Sequence, residues 1–314
     1  MTAREIINKL SDLNVRIWVD GEKVRWTGPP GIVTDQLLAE MREHKPELLV
    51  FLKAKGIGEP KTVEITISPP KIVKRGKGDF PHIYRPRRIS EVYGQEEIRK
   101  TIAYGLATGT LVHVLLFHGV SGTGKTTMGR IVAMGLNCHK GPTSEPCLAC
   151  NACKAVLSNN SLAYQELDAA HLSGVDAIRG LKGDFSALPL TGERNRIVLF
   201  DECHQFSAHA QAALLKQTED VPGHLYFIFC STASFLDTLE NRCQQFQFNP
   251  LSDEEMRALL SDVCASEGLN PDPGQLEEIL KVANGMPRNA LLELQKIPAL
   301  GVIGPPTAKA SKDT

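Results

Sequence analysis

Residues 119–126 constrain this chain more than any other stretch, because they match the phosphate-binding pattern G-x-x-x-x-G-K-[ST] at every fixed position. Glycines lack a Cβ, so backbone N–H groups can turn inward and surround a phosphate chain. Lys125 can then reach the β- and γ-phosphates, and the Thr126 hydroxyl can ligate Mg²⁺. Residues 112–117 are typical of a buried strand, and residues 126–136 of a helix whose N-terminus faces the anion. We therefore predict a phosphate-binding site rather than a chance glycine-rich turn.

The composition is that of a globular protein with more than one core. The 314 residues are 42% hydrophobic and 23% charged, and the net charge is −1. Any nucleic-acid binding must therefore be local or assembled from several subunits. No signal-peptide core follows Met1, and no apolar run approaches the roughly 20 residues that span a bilayer. We expect a cytoplasmic chain without membrane contact, whose eight cysteines are not disulfide-bonded.

Hydrophobic periodicity and Gly/Pro breakers divide the chain into five segments. We expect a small unit of a helix, two strands and two helices, with Thr34 as an N-cap. A linker, an α/β domain, a helical domain and a disordered tail follow it. The five segments cover residues 1–55, 56–80, 81–250, 251–298 and 299–314.

Two apolar strands downstream of the loop end in side chains suited to phosphate chemistry. The first ends at Asp201 and Glu202, where an Asp can help hold Mg²⁺ and a Glu can polarise the attacking water. The second ends at Ser231 and Thr232, where a hydroxyl can position that water or sense the γ-phosphate. A polar turn and a strand-end cap are the plainer alternatives.

Four of the cysteines follow the spacing C-x₈-C-x₂-C-x₂-C. This spacing suits tetrahedral thiolate coordination of zinc, and four thiolates leave no position open for water. We therefore predict a structural zinc knuckle over residues 138–153, with redox chemistry or free thiols as alternatives. The predicted zinc ligands are Cys138, Cys147, Cys150 and Cys153.

Seven basic residues around a single acid, Asp79, form a local charge run. They could contact DNA or nucleotide phosphates, or simply lie on a solvated linker, and the sequence favours neither. The basic residues are Lys71, Lys74, Arg75, Lys77, Arg85, Arg87 and Arg88.

An ordered series of motifs over about residues 84–292 resembles the bacterial clamp-loader AAA+ ATPases of the DNA polymerase III γ/τ type. The phosphate loop, the four cysteines and the D-E-x-H box at residues 201–204 stand in the family's order and spacing. The other matching stretches are residues 85–95, which in the family lie against the adenine, and residues 167–170, 214–219, 241–243 and 285–288.

The resemblance implies an α/β AAA+ P-loop domain with a parallel sheet and a small helical lid, using ATP and Mg²⁺. Thr126 and Asp201 would hold Mg²⁺, Glu202 would act on the water, and Thr232 would be the first sensor, with Ser231 as the fallback. Further nucleotide contacts would come from Gly119, Ser121, Gly122, Thr123, Gly124, Lys125, Thr127, Arg85, Gly94, Gln95 and Arg288. Arg288 would touch the γ-phosphate of its own subunit. Arg242 would act as an arginine finger on a neighbour's ATP, although an ordinary surface salt bridge is the plainer interpretation.

The resemblance also implies partners, namely other subunits of a homo- or hetero-oligomeric ring, a sliding clamp and primer–template DNA. Two departures leave alternatives open. Asn241 stands where the family has Ser, and only about sixteen residues follow the last predicted lid helix, where the family has a collar domain. A partner would then supply the collar, or the assembly differs, or the chain is not a complete loader subunit. Another AAA+ ATPase, such as a helicase loader or recombination factor, and a non-catalytic scaffold subunit are the alternatives.

Residues 1–55 are similar to the TubC-type N-terminal docking domains of peptide-synthetase and polyketide assembly lines, which are small αββαα adaptors. The likeness rests on residues 15–19, 37–45 and 47–49. It implies an unknown docking partner. Joined to a clamp-loader-type ATPase, such a unit is typical of a phage or mobile-element replication protein. An appendage that only dimerises or aids solubility is the alternative.

Overall fold

The computed structural model describes residues 6–7, 9–10, 15–27, 33–54, 69–172, 185, 189, 192–233 and 237–297. The chain divides into two compact units, Met1–Glu64 and Ile65–Thr314. The predicted tail, and residues 56–68 of the predicted linker, lie outside the described residues. Within the described part, no helix has the length and hydropathy of a membrane span.

The first unit contains a β-hairpin and two helices. Strands β1 (Arg16–Asp20) and β2 (Lys23–Thr27) pair antiparallel, and helices α1 (Asp35–Glu43) and α2 (Lys45–Ala54) follow. The Thr34 hydroxyl accepts a hydrogen bond from the Leu37 N–H at 3.3 Å, which confirms the predicted cap. Apolar side chains from all these elements and from the helical residues before β1 form one core, which includes Ile6, Leu10, Ile17, Leu37 and Leu48.

The second unit is built on a parallel five-stranded sheet. The strands are β3 (Val114–His118), β4 (Tyr164–Asp168), β5 (Arg196–Asp201), β6 (Leu225–Ser231) and β7 (Gln244–Gln247), in the spatial order β4-β5-β6-β3-β7. All four pairings are parallel. Apolar clusters cover both faces of the sheet, which explains the nearly continuous apolar runs in β3, β5 and β6. The carboxyl ends of these three strands meet at one edge.

Two of the described helices precede the first strand of the sheet, and four others lie between its strands. They are α3 (Phe80–Ile83), α4 (Glu96–Thr108), α5 (Lys125–Asn137), α6 (Asn151–Leu157), α7 (Ala208–Glu219) and α8 (Asp237–Glu240). A short 3-10 helix, Ile89–Glu91, precedes α4. The strand predicted at 112–117 and the helix predicted at 126–136 are present as β3 and α5, which begins at Lys125.

A helical lid follows the sheet. It comprises α9 (Asp253–Glu267), α10 (Pro273–Ala283) and α11 (Pro287–Leu294). Capping boxes start α9 at Ser252 and α10 at Asp272. The lid core also contains Ile83, Tyr84 and Tyr93 from the segment before the sheet. The segment that precedes the sheet is therefore packed against the lid.

Residues 69–80, which fall in the predicted linker, contact the lid and the segment that precedes the sheet. Lys74 pairs with Glu267 of α9 at 2.7 Å, and Arg75 pairs with the buried Glu91 at 2.5 Å. These two members of the basic run are thus occupied by carboxylates, while Lys77 is exposed.

Candidate nucleotide site and cysteine cluster

A cavity of about 340 Å³ lies where the phosphate loop, the carboxyl edge of the sheet and the lid meet. One part is polar and includes the loop from Ser121 to Thr127 with Asp201 and Glu202. The other part is largely apolar and is lined by Ile72, Pro81, His82, Tyr84, Pro86, Val92, Tyr93, Leu259, Pro287 and Leu291. This division suits a ligand with an anionic end and a flat, apolar-faced end.

The phosphate loop is held tightly between the sheet and the lid. Gly119 has φ +142°, and a Cβ there would lie 2.1 Å from the carbonyl oxygen of Phe248, so no other residue fits. A Cβ on Gly122 would lie 3.7 Å from the Cβ of Arg288, which places this lid arginine directly over the loop. The Lys125 ammonium donates to the carbonyls of Gly119 and Val120 at 2.7 and 2.9 Å. It thus lies across the loop that a phosphate would enter.

A hydroxyl and a carboxylate meet beneath the loop. The Thr126 hydroxyl donates to Asp201 Oδ2 at 2.9 Å, and Asp201 Oδ1 accepts from the Glu202 N–H at 3.1 Å. Burial raises the pKa of Asp201. Oxygen ligands of this kind, next to a phosphate loop, fit Mg²⁺.

Glu202 is held by the end of the neighbouring strand. Its backbone is left-handed, with φ +49°, an uncommon conformation for a residue other than glycine. Glu202 Oε2 accepts from the Thr232 hydroxyl at 3.1 Å and lies 3.5 Å from His204 Nδ1. Ser231 is buried and its hydroxyl donates to the Ala233 carbonyl. The structure therefore brings Thr232, rather than Ser231, to the carboxylate. Sequence reasoning gave no role to His204, although it stands two residues after Glu202.

Three cationic side chains, those of Arg85, Lys125 and Arg288, line the polar part of the cavity. Burial lowers the pKa of Arg85, and the nearby Arg130 and Arg288 add to this effect. Burial also lowers the pKa of Lys125, and the nearby positive charge of Arg288 lowers it further. Arg85 Nε donates to the Thr127 hydroxyl at 3.0 Å. Cations that disfavour one another's charge are stabilised by a bound anion, so this part of the cavity suits a polyphosphate.

Gly94 and Gln95 lie just beyond the cavity. Both have positive φ, and the Gln95 side chain exchanges two hydrogen bonds with the backbone of Asn249, at 2.6 and 3.3 Å. A Cβ on Gly94 would lie 2.4 Å from a Leu251 methyl group, so its small size lets the lid connection pack closely. Val92 and Tyr93 reach the cavity instead.

Arg242 lies away from the cavity, in the turn after α8. Its Nη2 contacts Glu219 Oε1 at 2.6 Å, and its Nη1 donates to the Thr238 carbonyl at 2.7 Å. Within this chain, Arg242 is therefore a partly exposed member of an ion pair. An action on nucleotide would need a second subunit.

The four predicted zinc ligands lie together, with their Sγ atoms all within 4.8 Å of one another. Thiolates around one zinc ion at about 2.3 Å would stand roughly 3.8 Å apart, so the cluster fits tetrahedral Zn²⁺. The Cys147 N–H points at Cys138 Sγ at 3.4 Å, and the Cys150 N–H at Cys147 Sγ at 3.3 Å. Among the described residues, the other cysteines form no such cluster, and burial raises the pKa of each of them: Cys203, Cys230, Cys243 and Cys264.

Two family models match the chain in separate regions. Residues 94–252, half of the chain, match the family described as DNA polymerase III, delta subunit. Residues 4–54 match the family described as TubC N-terminal docking domain. Both matches agree with the resemblances found in the sequence.

Curated relatives match the second unit. DNA polymerase III subunit gamma/tau of Mycobacterium tuberculosis is 37% identical over 218 residues, which is 68% of this chain and 38% of that protein. DNA polymerase III subunit tau of Bacillus subtilis is 35% identical over 211 residues, which is 67% of this chain and 37% of that protein. The chain thus spans well under half the length of these relatives.

The fold is shared with a solved structure, the RuvB Holliday junction branch migration motor of Thermotoga maritima. Its TM-score is 0.50 at 17% identity, and the match covers 67% of this chain and 64% of that one. At this identity the likeness shows the fold, an α/β AAA+ P-loop domain, and confirms the predicted fold class. Since the delta-subunit model matches half of the sequence, the chain belongs to the DNA polymerase III, delta subunit family and is a clamp-loader-type protein.

Proposed function

We propose that this chain is an ATP-driven clamp-loader subunit of DNA replication, which hydrolyses ATP at subunit interfaces to load a sliding clamp on primed DNA. The observation that supports it most is that one cavity joins the phosphate loop, the Thr126–Asp201 pair, Glu202 and the lid residue Arg288. The curated relatives carry the names of gamma/tau subunits.

The residues have distinct roles in ATP hydrolysis. Backbone amides of residues 121–126 and the Lys125 ammonium bind the phosphates, and the ammonium exchanges its loop carbonyls for phosphate oxygens. Thr126 and Asp201 would hold Mg²⁺, which would neutralise negative charge on the phosphates. Glu202 orients the water and accepts its proton as the water oxygen attacks the γ-phosphorus. The bond from the γ-phosphorus to the ADP oxygen breaks, giving ADP and phosphate.

Two arginines couple the bound nucleotide to the lid and to a neighbouring subunit. Arg288 belongs to the lid and lies over Gly122, so a γ-phosphate bound there draws the lid and the loop together. Arg242 acts on ATP bound by a neighbouring subunit, where its planar, permanently charged guanidinium stabilises the transition state. ATP binding therefore favours a closed ring around DNA, and hydrolysis favours release of DNA and clamp.

Assignments for the domains, the zinc site and the partners also belong to this proposal. Residues 1–55 dock an unidentified partner, residues 81–250 form the ATPase domain and residues 251–298 its lid. The cysteine cluster binds one structural zinc ion. Ring partners, the clamp and primer–template DNA complete the assembly.

ATP turnover measured with primed DNA and the cognate clamp, and with DNA alone, tests the proposal. Stimulation that needs the clamp supports clamp loading, whereas full stimulation by DNA alone points to a helicase loader or recombination factor.

Lys125→Ala separates a motor from a scaffold, because a scaffold would still support clamp loading without its own ATP. Lys100→Ala, on the exposed face of α4, is the matched control.

A further inference from the structure

The loop that leads into the second cysteine of the cluster is bonded to the segment that lines the cavity. We call residues 144–146 the entry loop and residues 88–93 the wall segment. Glu145 Oε1 accepts from the Ser90 N–H at 2.9 Å, and Glu145 Oε2 accepts from the Ser90 hydroxyl at 2.7 Å. Two more hydrogen bonds join the same segments, from the Ile89 N–H to the Ser144 carbonyl at 3.1 Å and from Arg88 Nε to the Pro146 carbonyl at 3.1 Å.

The entry loop is fixed in turn by the cysteine cluster. Cys147 directly follows the loop, and its N–H points at Cys138 Sγ. Ile89 of the wall segment is 1% exposed and belongs to the same apolar cluster as Cys138 and Cys153. The wall segment is therefore hydrogen-bonded to the loop that leads into Cys147, and it shares an apolar core with Cys138 and Cys153.

The other end of the wall segment forms part of the candidate nucleotide cavity. Glu91, Val92 and Tyr93 line it, and the buried Glu91 accepts from Arg75 at 2.5 Å and from the Arg87 N–H at 2.8 Å. A shift of the Ser90 end must displace these lining residues, because only one to three peptide units separate them. Zinc coordination would hold the four cysteines, and hence the entry loop, in one arrangement.

We infer that the zinc-bound cysteine cluster, acting through Glu145, positions the wall segment and so preforms the apolar part of the ATP cavity. The inference rests on the proposed ATP function. Glu145 is a positioning residue, because it contacts the wall segment rather than the cavity. Zinc and ATP then bind cooperatively, and by linkage each raises the affinity for the other by the same factor.

The test is a closed thermodynamic cycle on the full chain. The dissociation constant of Mg²⁺–adenylyl imidodiphosphate is measured on zinc-loaded and zinc-stripped protein. The zinc affinity is measured by competition with a chromophoric chelator, with and without that nucleotide. We expect both ratios to favour the doubly loaded state by about fivefold or more, as is typical of coupled sites. Equal affinities in all arms overturn the inference and leave the proposed function standing, whereas no nucleotide binding in any arm overturns the proposed function itself.

Variants of Glu145 keep the test valid if the stripped protein unfolds. Glu145→Ala should retain stoichiometric zinc and bind the nucleotide about three- to tenfold more weakly, the equivalent of one or two hydrogen bonds. Glu145→Gln should restore the affinity, because its amide can serve both groups of Ser90. Glu278→Ala, which removes an exposed carboxylate on α10, is the control. Wild-type nucleotide affinity in zinc-loaded Glu145→Ala would overturn the role of this residue.

Discussion

The Thr126 hydroxyl donates a hydrogen bond to Asp201 Oδ2 at 2.9 Å, joining the first turn of α5 to the carboxyl end of β5. These are the oxygens that the proposed function assigns to Mg²⁺. Burial raises the pKa of Asp201, so the contribution of this carboxyl to folding stability is lost as the pH rises through its folded-state pKa. In its ionised form, this carboxyl is therefore placed for a cation rather than for the stability of the nucleotide-free fold.

Replacing Asp201 should separate stability from function. Asp201→Asn can still accept from the Glu202 N–H and can donate its amide to the Thr126 hydroxyl, but it has no charge to bury. Its melting temperature at neutral pH should therefore be at least that of the wild type. Turnover of Mg²⁺–ATP should fall about 100-fold, as for other lost electrostatic contacts to a transition state. Calorimetry and a phosphate-release assay check both parts, and a lower melting temperature with normal turnover would contradict the assignment.

The contact between Thr232 and Glu202 should matter for hydrolysis and little for binding. Glu202→Gln should lower kcat about 100-fold or more through loss of the general base, with ATP affinity retained. Thr232→Val removes the hydroxyl that fixes Glu202 Oε2 and should lower kcat about tenfold, the equivalent of one hydrogen bond of about 1.4 kcal/mol. Single-turnover kinetics and equilibrium titration separate the two quantities. If Thr232→Val weakened ATP binding with kcat unchanged, the contact would not serve the water-activating carboxylate.

The sequence predicted the polar part of the cavity far better than its apolar part. The phosphate loop and the residues ending β5 and β6 carry local patterns, and parallel strands bring their carboxyl ends to one edge. The resemblance placed residues 85–95, which include Tyr93, against the adenine, but the apolar part also takes Ile72 and Leu259, which lie far apart in the chain and share no motif. Their meeting depends on how the lid packs, which no local pattern encodes.

Long-range polar contacts could not be predicted from the sequence either. Arg242 and Glu219 are neighbours only because α7 and the turn after α8 pack together. The hydrogen bonds between Glu145 and Ser90 span 55 residues and join two loops. In both cases the sequence identifies the residue type but not the partner, because tertiary packing selects it.

Arg242 and Arg257 are both exposed arginines paired with a single glutamate, at 2.6 and 2.5 Å, and so form a matched comparison. Either change to alanine should alter stability by only about 1 kcal/mol or less, as is typical of exposed pairs. Arg242→Ala should lower turnover in the assembled ring about 1000-fold while sparing ATP binding, as expected for an arginine finger. Arg257→Ala should turn over normally. Comparable turnover of the two variants in the assembly would show that the finger assignment is wrong.

The cysteine cluster offers a second matched pair, Cys150 within it and Cys264 on α9 outside it. Metal analysis should find about one zinc ion per wild-type chain, since four thiolates complete a structural site. Cys150→Ser should lose stoichiometric zinc and melt at a lower temperature, because zinc binding contributes directly to folding of such knuckles. Cys264→Ser should keep both properties, since its thiol lies apart from the cluster.

Chelation of the wild type should reproduce the Cys150→Ser melting curve, and re-addition of Zn²⁺ should restore the original curve. A wild-type chain purified in the presence of zinc that contains none would contradict the prediction. The four sulfurs would then be packed thiols.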